Sequence, residues 1–275
     1  MNTQDPETVR EAVRDRYAGH ARTMTSCCST SACCGSDAAS TAVAGYAPED
    51  LANLPGDADL GLGCGNPLAM ESIREGETVV DLGSGGGIDC FLAARRVGPN
   101  GHVIGVDMTP EMVLLAKRNA EKGDFGNVEF RLGEIEDLPV ESDAADLIIS
   151  NCVINLVPNK ARAFAEAFRI LKPKGRVSVS DIVTTAPLPS VVAESVGAYV
   201  ACLGGASVLD DYLAAMSDAG FVDIRIVSNV GYSMDADEVE EFVGSFSADL
   251  GMSGDELAQT AGLFRSVTVQ ASKPL

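Results

Sequence analysis

Apolar and polar positions along this chain fall into two alternating rhythms from Glu77 onward. Short apolar runs at Glu77–Leu82, His102–Asp107, Val128–Arg131, Ala145–Ser150 and Gly175–Val183 read as strands. Between them, helical spacing covers Ile88–Val97, the stretch from Thr109-Pro110-Glu111 to Glu121, and Asn159–Leu171, the last stopped by Pro173. Strands alternating with helices of about 10–15 residues imply an α/β fold, mostly parallel, with helices on both faces. Further on, Val191–Val200 and Val208–Ala219 read as helices, and Phe221–Val230 alternates as a strand. Asp235–Ser247 and Asp255–Leu263 then read as helices, and Phe264–Ala271 alternates again. The last two strands are expected to pair antiparallel at the sheet edge.

The N-terminal part lacks this rhythm. Asp5-Pro6-Glu7 opens a helix to about Tyr17, with proline in the first turn. Thr23 to Gly45 is Ser, Thr, Ala, Gly and Cys without period, and reads as a flexible segment. A short helix at Pro48–Leu54, a Gly/Asp loop over Gly56–Pro67 and a helix to about Arg74 complete the lead-in.

Composition narrows the class. A chain of 275 residues that is 46% hydrophobic fits one large domain with small additions. No apolar run suits a membrane span, and the charged N-terminus lacks a secretory core, so the expected location is cytoplasmic. Forty acidic against 20 basic residues give a net charge of −20, which argues against nucleic acid as a partner. The even spread of acids suits a solvated surface, as in a salt-loving host, or a nucleotide bias. Eight cysteines in a long chain without a signal peptide read as thiol chemistry rather than a disulfide framework.

The chemistry starts at Asp81-Leu82-Gly83-Ser84-Gly85-Gly86-Gly87, where a strand enters a helix. Glycines let the backbone approach a ligand, and the helix start offers amide donors. The loop lacks the last glycine of a dinucleotide motif, and Asp81 would oppose a pyrophosphate while accepting from an amine or hydroxyl. Asp107 ends the second strand, where a carboxylate can hold ribose hydroxyls. This order resembles the class I S-adenosylmethionine-dependent methyltransferases over Glu77–Val183. The resemblance implies a Rossmann-like seven-stranded sheet with an antiparallel edge strand. It places Asp81, Gly83, Ser84 and Gly85 at the methionine moiety and Asp107 at the ribose. Met108 would flank the adenine, Glu134 and Ile135 its edge, and Asn151 would lie near the methyl donor.

Three cysteines stand in separate contexts: Gly63-Cys64-Gly65-Asn66-Pro67, Ser150-Asn151-Cys152-Val153-Ile154, and Cys202-Leu203-Gly204-Gly205. Cys152 follows the fourth strand and so borders the ligand crevice. The glycine-embedded Cys64 and Cys202 suit exposed thiols, whereas Cys90, in an apolar helical run, reads as a small buried hydrophobe. Zinc is disfavoured because no C-x₂-C pair occurs. Together with the cofactor loop, these contexts resemble the arsenite methyltransferases over Ala47 to about Ala206. The resemblance implies that Cys64, Cys152 and Cys202 hold trivalent arsenic as thiolates. One of Cys27, Cys28, Cys33 or Cys34 would serve a disulfide relay. The implied co-substrates are S-adenosylmethionine, arsenite or thiol-conjugated arsenite, and a thiol reductant such as glutathione or a thioredoxin-like protein. Residues 1–46 would form an N-terminal helix and cysteine-bearing segment, 47–183 the cofactor core, and 184–275 a substrate-side and sheet-completing region.

Softness accounts for this chemistry. Trivalent arsenic prefers thiolate, and three sulfurs leave its lone pair free to attack a methyl carbon. No general base is needed, consistent with only two histidines, His20 and His102, neither placed for catalysis. A methyltransferase for a small organic molecule with structural cysteines would need a base. A thiol protein that only sequesters soft metals would leave the cofactor loop idle.

Overall fold

The computed structural model describes residues 5–23, 46, 51, 54–55, 58–60, 66, 73–231 and 251–275. The expected helices at Pro48–Leu54, after Pro67 and at Asp235–Ser247 lie largely outside them, as do Cys27, Cys28, Cys33, Cys34 and Cys64.

Among the described residues, seven strands form one sheet: β1 Thr78–Leu82, β2 His102–Asp107, β3 Val128–Leu132, β4 Ala145–Asn151, β5 Leu171–Thr184, β6 Val222–Gly231 and β7 Phe264–Ser272. Their order is β3-β2-β1-β4-β5-β7-β6. The pairs from β3 across to β5 are parallel, and β7 runs antiparallel to both β5 and β6. The expected antiparallel pairing is therefore present, with β7 one place in from the rim. Strand order reverses between β1 and β4, and such a switch point opens a crevice at the strands' C-terminal ends.

Side-chain alternation on β1 separates two cores. Val79 faces one with Phe91, Val103, Leu147 and Ile149, while Val80 and Leu82 face the other with Ile104, Ile148 and Phe164. Helices α2 Ile88–Val97 and α3 Pro110–Gly123 cover the first, and α4 Lys160–Ile170 and α7 Leu209–Asp218 the second. Each fully buried aliphatic side chain contributes about 1.5–3 kcal/mol, so these runs fix the register of the sheet.

Three elements differ from expectation. Val191–Val200 is two helices, α5 Ser190–Ala193 and α6 Val196–Val200, because the Ser195 side chain accepts from the Ala198 amide and starts a new helix. Strand β5 begins at Leu171, directly after α4, and is irregular up to Lys174, whose φ is +64°. The first helix, α1 Pro6–Thr23, runs past Tyr17 and packs against α3 and α6. The final helix, α8 Gly254–Ala261, starts at a reciprocal Ser253/Glu256 capping box.

Candidate active site

A cleft, partly open to solvent, lies over the ends of β1, β2 and β4. Gly83, Ser84, Gly85, Asp107, Met108, Glu134, Ile135 and Asn151, the residues the sequence assigns to a cofactor, all line it. Gly83 takes φ +75°, and a Cβ there would lie 2.4 Å from Val153 Cγ2. Gly85 takes φ +51° with open space beside it, so the turn presents bare backbone to the cleft. Asp107 Oδ2 accepts from the Gly85 amide at 3.0 Å, and Oδ1 from the Thr109 amide at 2.8 Å. The carboxylate thus pins the glycine turn to the end of β2, and each oxygen keeps a lone pair for a ligand hydroxyl. Burial pushes its pKa up, against the pull of those amides.

Beneath the turn lies a buried acid pair. Asp81 shares the face of Val79 and accepts from the Cys90 thiol at 3.2 Å. Cys90 is fully buried as expected, but its sulfur serves the acid rather than only filling space. Asp89, on the first turn of α2, accepts from the Tyr46 hydroxyl at 2.7 Å and from Asn151 Nδ2 at 3.3 Å. Burial raises the pKa of Asp89 to about 6, and burial with the Asp89 charge raises that of Asp81. Both acids line the cleft, so a ligand cation there would relieve their desolvation.

Helix α1 forms one wall through Arg10, Val13 and Tyr17. Arg10 Nη2 lies 2.6 Å from Glu136 Oε2, and Glu136 also accepts from the Asn159 amide at 3.0 Å. Glu134 is paired with Arg10 at 3.4 Å and Arg14 at 3.6 Å. Its carboxylate is therefore engaged with α1, which ties the N-terminal helix to the segment after β3.

Cys152 and Cys202, distant in sequence, come together beside the cleft. Cys152 is 2% exposed, lines the cleft and is disulfide-bonded. Cys202 is a thiol, half-buried rather than exposed as its glycine context suggests. Its sulfur lies 3.7 Å from the Cys152 carbonyl oxygen and 3.6 Å from the Tyr17 hydroxyl. Both cysteines adopt left-handed backbone conformations, φ +60° and +66°, which few non-glycine residues do. Such strain gathers at functional sites.

Sequence reasoning missed Asp89, Tyr46 and the α1 side chains. Asp89 follows Gly87-Ile88 by helical position, a usable signal. Tyr46 and α1 carry no local motif; only packing brings them in.

The fit to S-adenosylmethionine rests on three features: the open Gly85 backbone, the acids facing a cationic ligand, and Ser84 Oγ, which is buried without a partner among the described residues. Residues 73–242 match a family model described as a methyltransferase domain, which makes this a methyltransferase fold and crevice. An arsenite methyltransferase of Halobacterium salinarum is 46% identical over 98% of this chain and 68% of its own length. The arsenite methyltransferase of Homo sapiens is 36% identical over 66% of this chain and 50% of its own. A crystal structure of an arsenic(III) S-adenosylmethionine methyltransferase from Chlamydomonas reinhardtii superposes with a TM-score of 0.64 at 33% identity, over 86% of this chain and 74% of that one. The chain belongs to the arsenite methyltransferase family. It spans about two thirds of the halobacterial relative and half of the human one.

Proposed function

We propose that this chain transfers a methyl group from S-adenosylmethionine to trivalent arsenic held by cysteine thiolates, a detoxification reaction. The observation that supports this reading is Cys152 lining the cleft at the end of β4, with the Cys202 sulfur 3.7 Å from its carbonyl oxygen. Cys64 is the third proposed ligand. Asp81, Gly83, Ser84, Gly85, Asp107, Met108, Glu134, Ile135 and Asn151 form the proposed cofactor set, with Asp89 added. S-adenosylmethionine, when bound, supplies a methyl carbon on a positively charged sulfonium. The acids Asp81 and Asp89 favour that cationic ligand, and Asp107 orients its ribose. The thiolates hold the arsenic lone pair toward the methyl carbon, which makes the step an oriented displacement.

Electron balance calls for a reductant. The new As–C bond uses the arsenic lone pair, a formal two-electron oxidation. Two cysteine thiolates return those electrons by closing a disulfide, and Cys152 is disulfide-bonded here. A thiol reductant, glutathione or a thioredoxin-like protein, then reopens it. Cys27, Cys28, Cys33 and Cys34 are the relay candidates. In this reading residues 1–46 carry the relay, 47–183 the cofactor and 184–275 the substrate side. No helix among the described residues is long and apolar enough to cross a membrane, and the proposed location is cytoplasmic.

Methylation of arsenite from labelled S-adenosylmethionine, with a dithiol reductant, tests the reading. Cys152→Ser should abolish turnover, and Cys64→Ser or Cys202→Ser should cripple it, because oxygen is a hard, poor substitute for thiolate. Normal turnover by folded Cys64 and Cys202 variants would move the substrate to organic nucleophiles.

A further inference from the structure

Resting on the reading of Cys202 as an arsenic ligand, we propose that Asn155 is a positioning residue that sets Cys202 beside Cys152. Asn155 sits in the 3₁₀ turn Ile154–Leu156, three residues after Cys152, and is fully buried. Its side-chain Nδ2 donates to the Cys202 carbonyl oxygen at 2.8 Å. Its Oδ1 has no hydrogen-bond partner among the described residues. A buried amide with one half unsatisfied is costly, so the bond to Cys202 is what this side chain contributes.

The turn that carries Asn155 is itself anchored. The Asn155 backbone amide donates to Asp181 Oδ2 at 3.0 Å, inside β5. The Asn155 carbonyl accepts from Lys160 Nζ at 3.2 Å. Asp181 in turn accepts from the Tyr212 hydroxyl at 3.2 Å. Asn155 therefore reaches from a rigid base to a loop whose cysteine has a left-handed backbone. Gly205 completes the seat: a Cβ there would lie 2.1 Å from the Asn155 carbonyl oxygen, so only glycine lets the Cys202 loop come this close. The Cys202 sulfur is held from the other side by the Tyr17 hydroxyl at 3.6 Å. Asn155 touches neither arsenic nor cofactor in this scheme; it acts by fixing the carbonyl, and with it the direction of the Cα–Cβ bond, of Cys202.

The test compares Asn155→Ala, which removes the amide, with Asn155→Asp, which keeps its volume and replaces the donor by an acceptor. For each, the KM for arsenite, the KM for S-adenosylmethionine, kcat and the thermal midpoint are measured in the full chain. The expected result is an arsenite KM raised about tenfold, as loss of one buried hydrogen bond gives, with the S-adenosylmethionine KM within about twofold of the parent. A purely structural residue would weaken both substrates together. That parallel loss, an unchanged arsenite KM in a folded variant, or failure of both variants to fold would overturn the assignment. Cys202→Ser serves as the control: if it binds arsenite like the parent, the thiolate reading of Cys202 is what fails.

Discussion

At the residue scale, Asp107 and Asp89 are the two carboxylates through which the proposed cofactor site can be tested. Asp107→Ala removes two acceptors from backbone amides as well as any ribose contact, so it confounds stability with binding. Asp107→Asn keeps one amide acceptor and the shape. It should weaken S-adenosylmethionine by about 1.5–3 kcal/mol, as a lost charge-assisted hydrogen bond does, with arsenite binding intact. Isothermal titration showing equal cofactor affinity would remove Asp107 from the site. Asp89 gives a pH signature. Its folded pKa of about 6 lies above that of an ordinary aspartate, so between the two values the native chain holds the extra proton and its stability falls as pH rises. A cationic ligand needs the ionised form. Cofactor affinity should therefore drop by up to about tenfold per unit as pH falls below 6, and Asp89→Asn should flatten this profile. Asp81, Cys90 and Tyr46 face the same carboxyl region, and Asp81, also raised by burial, adds in the same direction.

At the scale of elements, the loop from α6 to α7 and the N-terminal helix set the position of Cys202. Gly205→Ala would press a methyl group against backbone at 2.1 Å, and backbone cannot swing aside as a side-chain tip can. It should cost about 1–3 kcal/mol of stability and raise the arsenite KM more than that of the cofactor. Denaturant unfolding with paired steady-state kinetics checks this, and an indifferent variant would mean the loop relaxes freely. Arg10→Ala should loosen α1, because Glu136 is almost fully buried and would lose its guanidinium partner, keeping the Asn159 amide as its side-chain hydrogen-bond donor among the described residues. Breaking a buried pair from one side costs about 3–5 kcal/mol; Arg10 is partly exposed, so the loss should fall below that range. Faster amide exchange in α1 and weaker cofactor binding are the expected readouts.

For the whole molecule, the net charge of −20 predicts that added salt stabilises the fold by screening self-repulsion. The thermal midpoint should rise between low salt and about 1 M sodium chloride, where the Debye length is about 3 Å, and arsenite binding should persist. A midpoint that falls with salt would show that ion pairs such as Arg176–Glu77 outweigh the repulsion.

The sequence by itself determined the sheet, the glycine turn and the acid at the end of β2. Apolar periodicity is set residue by residue, and glycine at a strand–helix junction has a local conformational reason. It also set Cys152 at the crevice, since a residue that follows a central parallel strand must lie there. Tertiary structure decided the rest. Val191–Val200 splits because one serine hydroxyl captures an amide. Cys202 is half-buried because α1 closes over it, although glycines flank it in sequence. Tyr46 reaches Asp89 across 43 residues, and Tyr17 reaches Cys202 across 185. Contacts of that separation leave no periodic trace, because their energy depends on packing that exists only after the sheet has formed.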